Sequence, residues 1–286
     1  MIKKRNASRS RRPERSTKRT SPRKPDSKSR GATQPTEWDQ AARWYDAIVG
    51  DRGTDYQKNI IHPGAYKLLD VKKGQRVLDL ACGQGVFSRF MARKGIRAVG
   101  LDSSRELLKL ARERFKSSAI FQVGDACEEE AFDEAVFEGV VCLMALQNMK
   151  EIEPVFQNVT KWMKPEGRFV MVLTHPCFRI ARQTHWGWDE EKKMEFRRVD
   201  RYQTSMQIPI LTPPFTRSKI YTSTYHRPLA DYFLALSQAG LCVDRLEEWI
   251  SDKESAPGKR ARAENRARKE IPMFMAIRAR HANFSV

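Results

Sequence analysis

Apolar residues recur along this chain in two alternating rhythms. Short β-favouring runs are RVLDLA from Arg76, IRAVGLD from Ile96, AIFQVGD from Ala119, GVVCLMAL from Gly139 and RFVMVLT from Arg168. Amphipathic segments fall between them: VFSRFMARKG, SRELLKLARERF, an acidic helix-like stretch, and EPVFQNVTKWMKPEG. The first set reads as buried strands and the second as helices with one apolar face. A βαβ rhythm sustained over five strands predicts a doubly wound, mostly parallel α/β sheet with helices on both faces. Ser103 with Glu106 reads as a capping box, and Gly95 and Gly167 as helix stops.

Upstream, Trp38–Val49 spaces its apolar residues as a helix with one greasy face, and the folded domain starts near it. Downstream of Thr174 the rhythm breaks over residues 175–228, a stretch rich in aromatics, prolines and charges, before a helix (LADYFLALSQAG) and two more strand-like runs. An insertion of that length after the fifth strand predicts a lid over a ligand site. The segment from Ser251 to Lys269 reads as an exposed charged connection.

Charge changes the picture at the ends. Residues 1–31 carry thirteen Lys/Arg against two acids, residues 32–250 thirty-one against twenty-nine, and residues 251–286 nine against four. The net +18 is therefore mostly a tail, with too few apolar residues to offset the entropy of ordering. The expected organisation is a disordered basic tail at 1–31 and one domain at 32–286. The longest apolar run, Val140–Leu146, is far short of a membrane span, and five scattered cysteines suggest neither a disulfide framework nor a metal site. A cytoplasmic, reducing setting is expected.

The candidate chemistry lies at three strand ends. Val77-Leu-Asp-Leu-Ala-Cys-Gly83-Gln-Gly85 runs a buried strand through a Gly-x-Gly turn into a helix, which brings backbone N–H groups close to a ligand. Ser88 stands where a dinucleotide fold would have its third glycine, and Asp79 suits a cationic ligand better than a pyrophosphate. Asp102, nineteen residues after Gly83, is placed to accept ribose hydroxyls, and Asp125 ends the following strand. In a parallel sheet these three acids face one crevice.

With these residues the chain from about Trp38 to Arg280 resembles a class I S-adenosylmethionine-dependent methyltransferase of the small-molecule, type 11 group. The resemblance implies a Rossmann-like seven-stranded sheet ending in a reversed hairpin at 241–250 and 272–280, and S-adenosyl-L-methionine as cofactor. It implies that the loop of Ala81, Gly83 and Gly85 passes under the methionine part, with Asp79 near the amino group. Asp102 would bind the ribose between Leu101 and Ser103. Asp125 with Ala126 would hold the adenine, and Leu143 and Met144 would close one wall. Tyr45 and Tyr56, in a segment resembling the N-terminal cap of such enzymes, are candidates to close the site.

For the acceptor side, His175 and His226 bracket the insertion and are candidate general bases. Trp186, Trp188, Tyr202, Phe215, Tyr221 and Tyr225 give the insertion an aromatic character, and it holds ten Lys/Arg against five acids. An aromatic or anionic small-molecule acceptor is expected. Two alternatives stay open: an RNA methyltransferase that attaches nucleic acid through residues 1–31, and a non-catalytic cofactor-binding adaptor.

Overall fold

The runs Val77–Leu80 and Val140–Cys142 are buried throughout, as strands covered by helices on both faces must be. In the computed structural model, which describes residues 35–283 except 116–118, 129–130 and 213–219, they lie at the centre of one sheet. Its strands are β1 (Arg76–Leu80), β2 (Arg97–Asp102), β3 (Ile120–Val123), β4 (Phe137–Leu143), β5 (Met163–Thr174), β10 (Leu241–Trp249) and β11 (Phe274–His281). The order is β10-β11-β5-β4-β1-β2-β3, parallel from β5 to β3, with β11 antiparallel to both β5 and β10. The expected seven strands and reversed terminal hairpin are both present. The basic stretch 1–31 lies outside the described residues.

Helices α3 (Val86–Arg93), α4 (Arg105–Phe115), α5 (Glu153–Trp162) and α6 (Leu229–Gln238) connect the strands. Val155, Phe156, Val159 and Trp162 of α5 are fully buried in one core layer with Phe137, Phe169 and Tyr232. The other layer joins α2 (His62–Leu69) and α3 to the opposite face through Leu68, Leu69, Phe87 and Met91. The strand order reverses between β1 and β4, so the β1 and β4 C-terminal ends open on the switch-point crevice where doubly wound folds bind ligands.

Four local expectations are corrected. The cap of α4 is Ser104, whose hydroxyl accepts from Leu107 N–H at 3.2 Å; Ser103 is one residue too early. Gly167 lies inside β5, because α5 already ends at Trp162 with Met163 extended. The described residues of the acidic stretch after Asp125 form turns rather than an α-helix. The charged segment after Ser251 contains α7 (Ala261–Glu270), an Ala/Arg/Glu-rich sequence of good helix formers that buries only Ala267.

The described residues of the insertion form two antiparallel hairpins. One pairs β6 (Thr184–Asp189) with β7 (Met194–Val199), and the other pairs β8 (Met206–Leu211) with β9 (Tyr221–His226).

Candidate functional site

The turn from β1 into α3 takes three residues into left-handed backbone, Ala81 (φ 53°), Gly83 (φ 56°) and Gly85 (φ 77°). The two glycines serve different ends. A Cβ on Gly83 would meet only the Tyr45 ring, at 3.7 Å, whereas one on Gly85 would lie 2.5 Å from Phe121. Gly83 therefore keeps the crevice open. Gly85 lets α3 start against β3 and α4 and lines none of the cavities described below, a correction to its expected place beneath a ligand.

Asp102 is tied into this turn. Its carboxylate accepts from Gly83 N–H at 2.7 Å and from Ser104 N–H at 2.8 Å. Burial pushes its pKa up to about 6, against the lowering effect of those two bonds. Asp79, deeper in the crevice, accepts from the Ser88 hydroxyl at 2.6 Å, and burial pushes its pKa up to about 7. Asp125 lies two residues beyond β3 and accepts from Cys127 N–H at 2.9 Å.

Three contiguous cavities run along the strand ends and share Ala81. One of about 430 Å³ is lined by Leu101, Asp102, Ser103, Asp125 and Ala126. The next, about 140 Å³, is lined by Gly83, Leu143, Met144, Tyr45 and Trp38. The smallest, about 40 Å³, holds Asp79, Gln84, His62 and Tyr45. The residues expected at a cofactor thus converge, except Gly85 and Tyr56. Tyr56 turns away: its hydroxyl meets Ser251 Oγ at 2.9 Å and its ring stands edge-on to Phe274, so it is a packing residue.

Tyr45 lies at the centre of the crevice, and burial, together with the nearby Asp102 and Asp79 charges, pushes its hydroxyl up to about 12. It belongs to α1 (Glu37–Val49), which roofs the crevice. Asp39 of α1 accepts from Ser104 Oγ at 2.7 Å and from Glu106 N–H at 3.1 Å. Asp46 pairs with Arg114, and Glu37 accepts from Ser223 N–H at 2.7 Å. The roof is therefore fastened to α4 on one side and to β9 of the insertion on the other.

A fourth cavity, about 320 Å³, lies between this roof and the insertion. It meets the crevice at Trp38, Tyr45 and Asn148. The β8–β9 hairpin supplies Ile208, Ile210, Thr222, Thr224 and Tyr225 to its wall, with His226 and Arg227 following. His226 donates through Nε2 to the Tyr202 carbonyl at 2.7 Å, which fixes Nε2 as the protonated nitrogen, and Nδ1 has no hydrogen bond among the described residues. Burial lowers its pKa, which favours the neutral ring. Arg227 Nη1 and Gln147 Oε1 are buried on the same wall without a hydrogen-bond partner among the described residues.

His175 is different, and its expected role as a base is corrected. Its Nδ1 accepts from Cys177 N–H at 3.2 Å, so Nε2 carries the proton and donates it to Glu248 at 2.7 Å. Both nitrogens are engaged, toward β10, and the residue lines none of the four cavities. Among the insertion aromatics, Tyr225 alone of the described ones lines the fourth cavity. Trp186 lies beneath Arg179 and Arg197, Tyr202 accepts from Leu229 N–H, and Tyr221 is exposed. Phe215 lies outside the described residues.

Sequence reasoning missed Trp38, Gln84, Asn148, Gln147 and Arg227. Gln84 carried a signal inside the Gly-x-Gly turn; its amide donates to the Gly50 carbonyl at 3.0 Å while Oε1 is buried without a partner among the described residues.

Residues 77–167, which hold this turn and the strands through β4, match the family model described as a methyltransferase domain. Over these residues the chain carries a methyltransferase domain. The chain is 30% identical over 149 residues to the Bacillus subtilis protein YqeM, named a methyltransferase, covering 50% of this chain and 51% of that protein. It is 31% identical over 134 residues to the ubiquinone biosynthesis O-methyltransferase of Vibrio cholerae, covering 45% and 54%. The chain spans about half the length of these curated relatives. The methyltransferase fold extends further than the family match: an S-adenosylmethionine-dependent methyltransferase from Mesorhizobium loti superposes with a TM-score of 0.60 at 24% identity, covering 77% of this chain and 96% of that one. No helix among the described residues is long and apolar enough to cross a membrane.

Proposed function

We propose that the chain transfers a methyl group from S-adenosyl-L-methionine, held in the crevice between Asp79 and Asp125, to a small planar acceptor in the cavity beneath the β8–β9 hairpin. The observation that carries this reading is the junction of the two spaces at Trp38, Tyr45 and Asn148. An in-line displacement needs donor and acceptor in adjoining, water-poor compartments, and little else.

The crevice suits the cofactor on its own chemistry. Asp79 and the unpartnered Gln84 Oε1 share the smallest cavity and offer an anion and an acceptor to an α-ammonium group. Gly83 lets the methionine portion approach the backbone. Asp102 and Ser103, on the wall of the largest of the three cavities, would hold the ribose, and Asp125, Ala126 and Leu101, on the same wall, the adenine. When bound, the cofactor supplies an electrophilic methyl group on a sulfonium. The chain's part is to orient it through these contacts and to exclude water with the α1 roof.

On the acceptor side, Tyr225 and Trp38 offer aromatic faces, Ile208 and Ile210 apolar ones, and Arg227 and Gln147 polar atoms still without a partner. That mixture fits a planar, partly polar metabolite bearing a hydroxyl or an anionic group. An O-methyltransferase of ubiquinone biosynthesis among the relatives supports such an acceptor. His226 Nδ1 receives the proton that an acceptor hydroxyl must lose. The test is a transfer screen with methyl-tritiated S-adenosylmethionine against separate pools of small phenols, carboxylates and RNA. Label in a small aromatic product is expected, whereas label in RNA alone contradicts the reading.

A further inference from the structure

The largest concavity among those described, about 1000 Å³, lies outside the crevice, between the β6–β7 hairpin and α7. It shares no lining residue with the crevice or the acceptor cavity. Seven Lys/Arg and three Glu line it, so it is strongly cationic. Part of that charge is internally used: Arg260 pairs with Glu190 at 3.1 Å, and Arg197 is bound to Phe178 O and Thr184. Lys192, Lys259, Arg262 and Arg266 form no ion pair among the described residues.

Arg262 and Arg266 are four residues apart on α7, which puts them on one face about 6 Å apart along the helix axis. Lys259, two residues before α7, and Lys192 of the β6–β7 hairpin line the same concavity. The floor between them is aromatic and apolar. Phe196 is 45% exposed and Met194 42%, both projecting from the same face of β7, and the Arg260 guanidinium lies 4.5 Å over the Trp188 ring.

We infer that this groove is a docking surface for single-stranded nucleic acid, with the Arg262/Arg266 row along the phosphates and Phe196 as a stacking platform for a base. Charge complementarity alone would also admit an acidic peptide. The exposed Phe196 ring and the Arg-stacked Trp188 favour bases, because stacking on aromatic faces and tracking of the backbone by a cationic groove occur together in single-strand recognition. The groove also touches the acceptor side mechanically: Arg179 lines the acceptor cavity and donates to the carbonyls of Ile271 and Pro272, both at 3.2 Å, at the end of α7. This inference is independent of the proposed methyl transfer.

The experiment is fluorescence anisotropy of a labelled oligouridylate of about 12 nucleotides on the full-length chain over a salt series, followed by photocrosslinking and peptide mapping. Residues 1–31 stay intact, so that the groove is varied against a constant basic stretch. For R262E/R266E the affinity falls at least about tenfold and the salt slope flattens by about 1.4, the value for two single-strand phosphate contacts. Phe196→Ala weakens binding while leaving that slope unchanged, and crosslinks fall on the β6–β7 hairpin or α7. S-adenosylhomocysteine affinity and the melting temperature of both variants stay at wild-type values, which separates this outcome from misfolding. Crosslinks confined to residues 1–31, unchanged affinity in R262E/R266E, no binding by the wild-type chain, or tighter binding of a labelled poly-glutamate peptide than of the oligouridylate would each overturn the inference. If either variant loses its fold, Arg262→Gln with Arg266→Gln is read by the same criteria.

Discussion

The His175 imidazole and the Glu248 carboxylate meet at 2.7 Å, joining the first residue of the insertion to the strand β10. With Cys177 N–H on its other nitrogen, the ring acts as a clasp between β5 and the sheet edge. His175→Ala is therefore expected to lower stability by about 1–2 kcal/mol, the scale of two lost hydrogen bonds, since the Glu248 carboxylate left behind is half exposed and can turn to water, and to leave the rate per folded molecule intact. Denaturant melts paired with active-site-titrated turnover check this. A stable variant with a hundredfold rate loss would restore the catalytic role.

His226 is expected to behave in the opposite way. As the general base its replacement by Ala costs about 10²-fold or more in turnover, with S-adenosylhomocysteine binding unchanged. Burial lowers the imidazole pKa below its ordinary 6.5, so the wild-type rate rises with pH and levels off below that value. The rising limb should vanish in His226→Ala. A full-rate variant with the same pH profile rules the base out.

Asp79 and Asp102 make cofactor binding depend on pH. Their folded pKa values, about 7 and about 6, stand above the ordinary carboxylate value of 3.8. A raised carboxyl stabilises the fold below its unfolded pKa and loses that contribution as pH climbs through the folded one. The ligand-free protein should thus lose stability from about pH 4 to about pH 7, while a cationic ligand should bind more tightly over the upper part of the same range. Calorimetry in buffers of different ionisation heat should detect proton release on binding near pH 6.5. In Asp79→Asn the upper part of the pH dependence should disappear, and an unaltered profile there would place the ammonium contact elsewhere.

The two glycines of the turn predict a contrast. Gly85→Ala drives a methyl group into Phe121 at a positive φ, for a combined cost of about 2–5 kcal/mol. Gly83→Ala has free space around it, costs about 1–2 kcal/mol, and weakens the cofactor by crowding the crevice. Equal stability losses in thermal melts, or undisturbed cofactor affinity in Gly83→Ala, would contradict the assignment of the open side.

The mostly parallel sheet and the crevice were legible in the sequence because local period and strand-end acids carry them. Asp79, Asp102 and Asp125 each follow or end a short apolar run, and that rule is local. The misreadings share another cause, dependence on distant partners. His175 reads as a free histidine until β10 brings Glu248 to it, 73 residues away. Tyr56 finds Ser251 from 195 residues away. Gly85 looks like a ligand glycine until Phe121 appears under it. The helix α7 has no apolar stripe, so periodicity passes over it although its propensity is high.

The central claim is that the crevice bounded by Gly83, Asp102 and Asp125 holds S-adenosyl-L-methionine, and calorimetric titration of wild type and Asp102→Ala with S-adenosylhomocysteine tests it most directly. The account predicts one site per wild-type chain and at least about a hundredfold weaker binding in the variant, since hydrogen bonds from ribose hydroxyls to a charged carboxylate are worth about 1.5–3 kcal/mol each, with cooperative unfolding retained in both. Wild-type protein that takes up no ligand, or a folded Asp102→Ala that binds as tightly as the parent, would contradict it.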